Sequence, residues 1–134
     1  MGHIERVYSD QVGEPPAETW SNCLRIDNQV FIAGMTARSS EFDSIDGAGV
    51  YAQARIIFTK IKCLIEAAGG TMADIVKVNI FVTNIDQRQE VWRARREFFI
   101  GDFPVSTLVE VSALALPEME VEVEAVAVLD TGVS

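Results

Sequence analysis

The sequence predicts an α+β fold, a single domain over residues 1–134 in which one mixed sheet carries two helices packed on one face. Three observations lead there. Strand-like runs lie at both ends and in the middle of the chain. Two intervening stretches repeat apolar residues at helical spacing. The order reads ββ(β)αβαββ, without the six or more regular βα units of a barrel or doubly wound sheet.

In chain order, Ile4 to Tyr8 is a short edge strand or arm, broken by Gly13-Glu14-Pro15-Pro16. Asn22 to Ile26 and Gln29 to Ala33 are joined by Asp27-Asn28, residues that tolerate the positive φ of a tight turn, so they form a hairpin. Met35 to Gly49, rich in Ser, Asp and Gly, is a long surface loop of the kind that borders sites. Val50, Ala54, Ile57, Phe58, Ile61, Leu64 and Ile65 then recur at spacings of three and four. They predict an amphipathic helix that Gly69-Gly70 ends. Thr71 offers a cap for a short turn, and Ile75 to Val82 is a well-buried strand. The stripe Val91, Ala94, Phe98 predicts a second helix from near Asp86 to Ile100, stopped by Gly101 and Pro104. Thr107 to Ser112 and Glu120 to Leu129 are the closing strands, connected through Pro117-Glu118.

Hydrophobic residues at 49% and charged residues at 23% are globular proportions, and 134 residues suffice for one core. A net charge of −9 repels phosphate backbones and anionic lipid, so no nucleic-acid partner is expected. The acidity reads as solubility, or as a patch for a basic partner. Cys23 and Cys63 read as reduced, packed thiols, and with no leader-like segment the expected location is cytoplasmic. The single histidine, His3, leaves no Cys/His spacing for a metal and no serine–histidine or cysteine–histidine nucleophile system. Gly47-Ala48-Gly49 lacks the strand and further glycines of a nucleotide loop, so no cofactor is expected. No apolar run approaches the ~20 residues of a membrane span.

The last strand has the most unusual pattern. Glu120, Glu122 and Glu124 alternate with Val121, Val123 and Ala125, which places three carboxylates on one face about 7 Å apart. Open to water, they form a solvated face; buried, their repulsion raises a carboxyl pKa and readies it for acid/base work. Val126 and Val128 make the same face apolar further on, so Glu124 stands at the border and is the carboxylate of choice. With apolar residues on both faces and helices for only one, the sheet must bury the other by association. Ser106-Thr107 present hydroxyls that suit a ligand or a strand entrance, and Trp20 and Trp92 suit a core or interface as readily as a pocket.

Over nearly its whole length the chain resembles the Rid/YjgF proteins. The phrases that carry this are Val30-Phe31-Ile32-Ala33-Gly34, Ala67-Ala68-Gly69-Gly70, Asp74-Ile75-Val76-Lys77-Val78, and Val121-Glu122-Val123-Glu124-Ala125-Val126-Ala127. The resemblance implies a chorismate-mutase-like fold and a homotrimer whose sheets build a central barrel, with ligand clefts between subunits. It also implies hydrolysis of reactive enamines and imines of 2-amino acids, with an arginine on the substrate carboxylate and a glutamate near the attacking water. That glutamate is matched to Glu124, and the arginine falls on Ser106. Trp20, Ala33, Gly34, Trp92 and Leu108 occupy the other pocket positions, which makes the floor more apolar than in the family.

Two functions follow as expectations. One is hydrolytic deamination of an enamine, imine or related amino compound, with Glu124 orienting or deprotonating water and Ser106 touching substrate. The other is a non-catalytic trimer that binds a small neutral or aromatic ligand in an apolar cleft. Arg25 and Arg38 are the arginines considered to replace the missing anchor. Charge and the lack of a catalytic histidine argue against the nuclease label sometimes attached to this family.

Overall fold

The computed structural model describes residues 3–130. The strands are β1 (Ile4–Arg6), β2 (Cys23–Ile26), β3 (Gln29–Met35), β4 (Ile75–Val82), β5 (Val105–Glu110) and β6 (Val121–Val128), and the α-helices are α1 (Val50–Ala67) and α2 (Arg88–Arg95). They form one six-stranded sheet in the order β1-β2-β3-β6-β4-β5. Only the β4–β5 pair is parallel, because α2 crosses over between those two strands. The last strand thus lies at the centre, between β3 and β4.

The β2–β3 turn has Asp27 at φ 52°, the left-handed conformation its short polar side chain tolerates. Helix α1 ends with Gly69 at φ 98° and with Gly70 N–H donating to the Ile65 carbonyl, a Schellman closure. At the following turn the stabilising group is Asp74, whose Oδ2 accepts from Thr71 N–H at 2.8 Å. The second helix is shorter than its sequence stripe implies. A 3₁₀ turn over Ile85–Gln87 leads into α2, and Glu97 and Phe98 N–H groups then bond three residues back. This tightening rotates Phe99, rather than Phe98, fully into the core. Strand β5 begins two residues earlier than its pattern suggests, because Val105 pairs with Lys77 of β4.

One face of the sheet is closed. Val30 and Ile32 of β3, Val78 and Ile80 of β4, and Val121 and Val123 of β6 pack against Ile57, Phe58, Ile61 and Leu64 of α1. Buried Gln53 ties α1 to the β5–β6 connection, donating to the Glu118 carbonyl and accepting from Glu120 N–H, each at 2.9 Å. The opposite face carries Asn79, Phe81, Glu122, Glu124 and Val126, with Phe31 40% and Val128 43% exposed on the same side. Among the described residues nothing covers that apolar area. No helix among the described residues is long and apolar enough to cross a membrane.

Candidate functional site

In β3 the four residues Ile32 to Met35 span what the three residues Ala125 to Val123 span in β6. This bulge turns the Gly34 Cα toward the carboxylate of Glu122: a methyl added at Gly34 would collide with Glu122 Oε2. A glycine inside a strand commonly marks such a close approach. The glutamate therefore folds back over the bulge instead of extending into water.

Above the bulge lies a cavity of about 310 Å³. Trp20 and Asn22 from the segment before β2, Gly34, and Arg38 and Phe42 from the loop after β3 line it together with Glu122. Asn22 is buried and donates from Nδ2 to the Gly13 carbonyl at 2.9 Å, which holds the N-terminal arm against the opening. Trp20 and Phe42 form an aromatic wall with ring centroids 6.4 Å apart. Lys60 reaches in from α1, and its ammonium donates to the Thr36 and Arg38 carbonyls at 2.7 and 2.5 Å, so it fixes the loop. Burial holds its pKa below the ordinary lysine value, against the opposing pull of Asp46. Burial, and secondarily the charge of Glu124, raises the Glu122 carboxyl above the usual carboxylate range.

The residues expected from sequence divide into two groups. Trp20, Ala33 and Gly34 meet at this cavity. Glu124 does not line it; its Oε2 accepts from Asn79 Nδ2 across the β4–β6 pair at 3.0 Å. Trp92, Ser106 and Leu108 lie instead along the α2–β5 edge, where Ser106 and Leu108 pair with Val78 and Ile80 on the helix-covered side. Of the two arginines considered as replacements, Arg25 is occupied. It donates to the Asp27 carbonyl at 2.8 Å and to the Ala68 carbonyl at 2.7 Å, closing the end of α1. Arg38 is at the cavity, with its guanidinium 4.9 Å from the Phe42 ring centroid and a buried Nε that bonds to nothing.

Two groups escaped the sequence reading. Glu122 belongs to the same alternating run as Glu124, and only the bulge separates their surroundings. Arg95 donates from Nη1 to Ser106 Oγ at 2.9 Å, yet in the sequence it is one of four arginines between 88 and 96 and nothing local distinguishes it. Cys23 is buried, which pushes its thiol up to about 12 and leaves it unreactive. Among the described residues, no group of three or more His, Cys, Asp or Glu is placed to hold a metal ion.

Comparison with known proteins places these features in context. Residues 12–129 match the family model described as Endoribonuclease L-PSP. A protein of Dermatophagoides farinae named 2-iminobutanoate/2-iminopropanoate deaminase is 28% identical over 126 residues, covering 94% of this chain and 98% of its own. Among solved structures, a Pseudomonas aeruginosa protein superposes with a TM-score of 0.86 at 39% identity, covering 97% of this chain and 95% of that one. RidA from an Antarctic Psychrobacter superposes with a TM-score of 0.84 at 26% identity, covering 93% and 99%.

Proposed function

The chain belongs to the Rid/YjgF family, the family of the Endoribonuclease L-PSP model, and on that premise we propose that it hydrolyses a small imine or enamine with Glu122 as the acid/base group. The observation that carries this reading is the placement of Glu122: a half-buried carboxylate of raised pKa, folded over Gly34 at the floor of a cavity. A carboxyl group so placed is tuned toward neutral pH, where it can both take and return a proton. The name of the Dermatophagoides relative supports the same chemistry.

The reaction balances with one water. Glu122 takes a proton as water oxygen bonds to the imine carbon, and the C=N π pair moves onto nitrogen. Glu122 returns that proton to nitrogen, giving the carbinolamine. It then takes the carbinolamine hydroxyl proton and passes it to the same nitrogen, so the C–N bond breaks with its electron pair leaving on ammonia as the oxygen lone pair closes the carbonyl. An enamine first takes a proton at its β-carbon to become the imine. Trp20 and Phe42 limit competing water and pack the apolar part of the substrate.

The functional cleft is proposed to lie between subunits of a homotrimer. The uncovered apolar sheet face supports association, and the separation of the Trp20–Glu122 cavity from the Trp92–Ser106–Leu108 edge supports a site completed by a neighbouring chain. A second reading, a ligand-binding trimer without turnover, is favoured by the aromatic wall alone. Ammonia release from a panel of enzymatically generated imines decides between them. Acceleration that Glu122→Gln abolishes supports hydrolysis, and no acceleration with any imine rejects it.

A further inference from the structure

A second cavity, of about 500 Å³, lies between the loop after β3 and the outward side of α1. It shares Arg38 and Lys60 with the Glu122 cavity, but Glu122 does not line it. Its walls hold three of the chain's 11 basic residues, Arg38, Arg55 and Lys60, and one of its 20 acidic residues, Asp46. Three cations less one carboxylate leave two positive charges, in a chain whose net charge is −9. Internal pairing does not account for them. Among the described residues no carboxylate comes within ion-pair distance of Arg38 or Lys60. The Arg38 Nε is buried and bonds to nothing. The Lys60 ammonium donates to two neutral carbonyls, those of Thr36 and Arg38, and keeps a third N–H. Arg55 commits its Nε to Glu97, outside the cavity, which leaves the terminal nitrogens of its fork for a second partner. Burial lowers the Lys60 pKa, Asp46 pulls it back and Arg38 lowers it again, so a bound anion would relieve both lowering effects.

We propose that this second cavity is a binding site for a phosphate group, free or carried by a small phosphomonoester, with Arg38, Arg55 and Lys60 as its donors. Two net positive charges match a group that carries about −1.5 to −2 at pH 7, whereas a single carboxylate would leave one of them uncompensated. The donors come from α1 and from the loop after β3, so they converge from two elements, which suits a tetrahedral oxoanion better than a planar one. Ala52 and Ile56 add an apolar wall on which the short hydrocarbon part of an ester can lie. The site goes beyond the hydrolytic reading and does not rest on it.

The probes are inorganic phosphate and n-butyl phosphate, titrated into the full chain by calorimetry, with n-butanol as the uncharged control. The wild type is expected to bind phosphate saturably, one per chain, and n-butanol at least about tenfold more weakly than the butyl ester. Arg38→Gln and Arg55→Gln should each weaken phosphate binding about tenfold. Arg55 is half-exposed and its pair with Glu97 weighs little in the fold, so that variant stays folded. Asp46→Asn should tighten binding about threefold, because it removes the like charge that faces the ligand; a merely structural role for the cations would not produce a gain. Tighter binding of the butyl ester identifies an organic phosphate as the ligand, and tighter binding of inorganic phosphate identifies the free anion; either supports the site. No saturable binding of either probe, or affinity unchanged in both arginine variants, overturns the proposal. So does an equal loss in Lys77→Gln, on the uncovered face of the sheet, because the attraction would then belong to the surface as a whole. Glu122→Gln should bind phosphate as the wild type does. Phosphate binding without turnover on any imine therefore keeps this site and sinks the hydrolytic reading, and turnover without phosphate binding does the reverse.

Discussion

Glu122 and Glu124 are two residues apart on one strand, yet their surroundings differ. One folds over a glycine into a cavity, and the other is held by Asn79. Because the folded pKa of Glu122 lies above its ordinary value, its contribution to stability is fully present below the ordinary carboxyl range and is lost as pH rises through the raised pKa. Glu122→Gln is therefore expected to raise the Tm at pH 7, with the gain over wild type shrinking as pH falls toward about 4, while turnover is lost. The wild-type rate should fall on acidification through the same raised pKa, as the base is protonated; a pH–rate profile checks this. Gly34→Ala tests the placement itself. The added methyl would strike the flexible end of Glu122 rather than backbone, so the side chain moves aside. The expected outcome is a small change in Tm with a drop in kcat of at least about tenfold, read from steady-state kinetics.

At the scale of elements, local periodicity and turn chemistry placed α1, β4 and the β2–β3 hairpin within a residue or two of their observed limits. The stretch after β4 was less legible. Its stripe of Val91, Ala94 and Phe98 continues a helical period past Arg95, but 3₁₀ bonds end the helix and turn Phe99 inward. That choice depends on the packing of Phe58 against Phe98 and Phe99, which no local window contains. Contact between α1 and the β5–β6 connection runs through Gln53, whose buried amide bonds to the part-buried backbone groups of Glu118 and Glu120. Gln53→Ala leaves the Glu120 N–H and the Glu118 carbonyl without that partner, and is expected to cost about 1–3 kcal/mol in urea denaturation.

For the whole molecule, the open sheet face gives the clearest expectation. Phe31, Val126 and Val128 adjoin across β3 and β6, with no helix of the described residues over them. Light scattering is expected to return a mass of three chains, against 14.7 kDa for one. Placing lysine at both Phe31 and Val128 should shift the mass toward the single chain while far-UV circular dichroism is retained, since neither side chain belongs to the core under the helices. A single-chain mass for the wild type would remove the inter-subunit cleft from the functional reading.

What the sequence determined by itself was the set of elements, the apolar face of each and the family likeness, because those depend on periods of two and 3.6 residues and on short phrases within one segment. The alternation from Glu120 to Val128 was enough to set three carboxylates against two valines on one face. Which carboxylate enters the cavity was decided only in three dimensions, by a bulge in β3, a strand far earlier in the chain. The meeting of Arg95 with Ser106 was likewise decided by the crossover that lays α2 over the β4–β5 pair. A side chain's chemistry follows from such neighbours, and neighbours brought together by topology leave no periodic trace in the sequence.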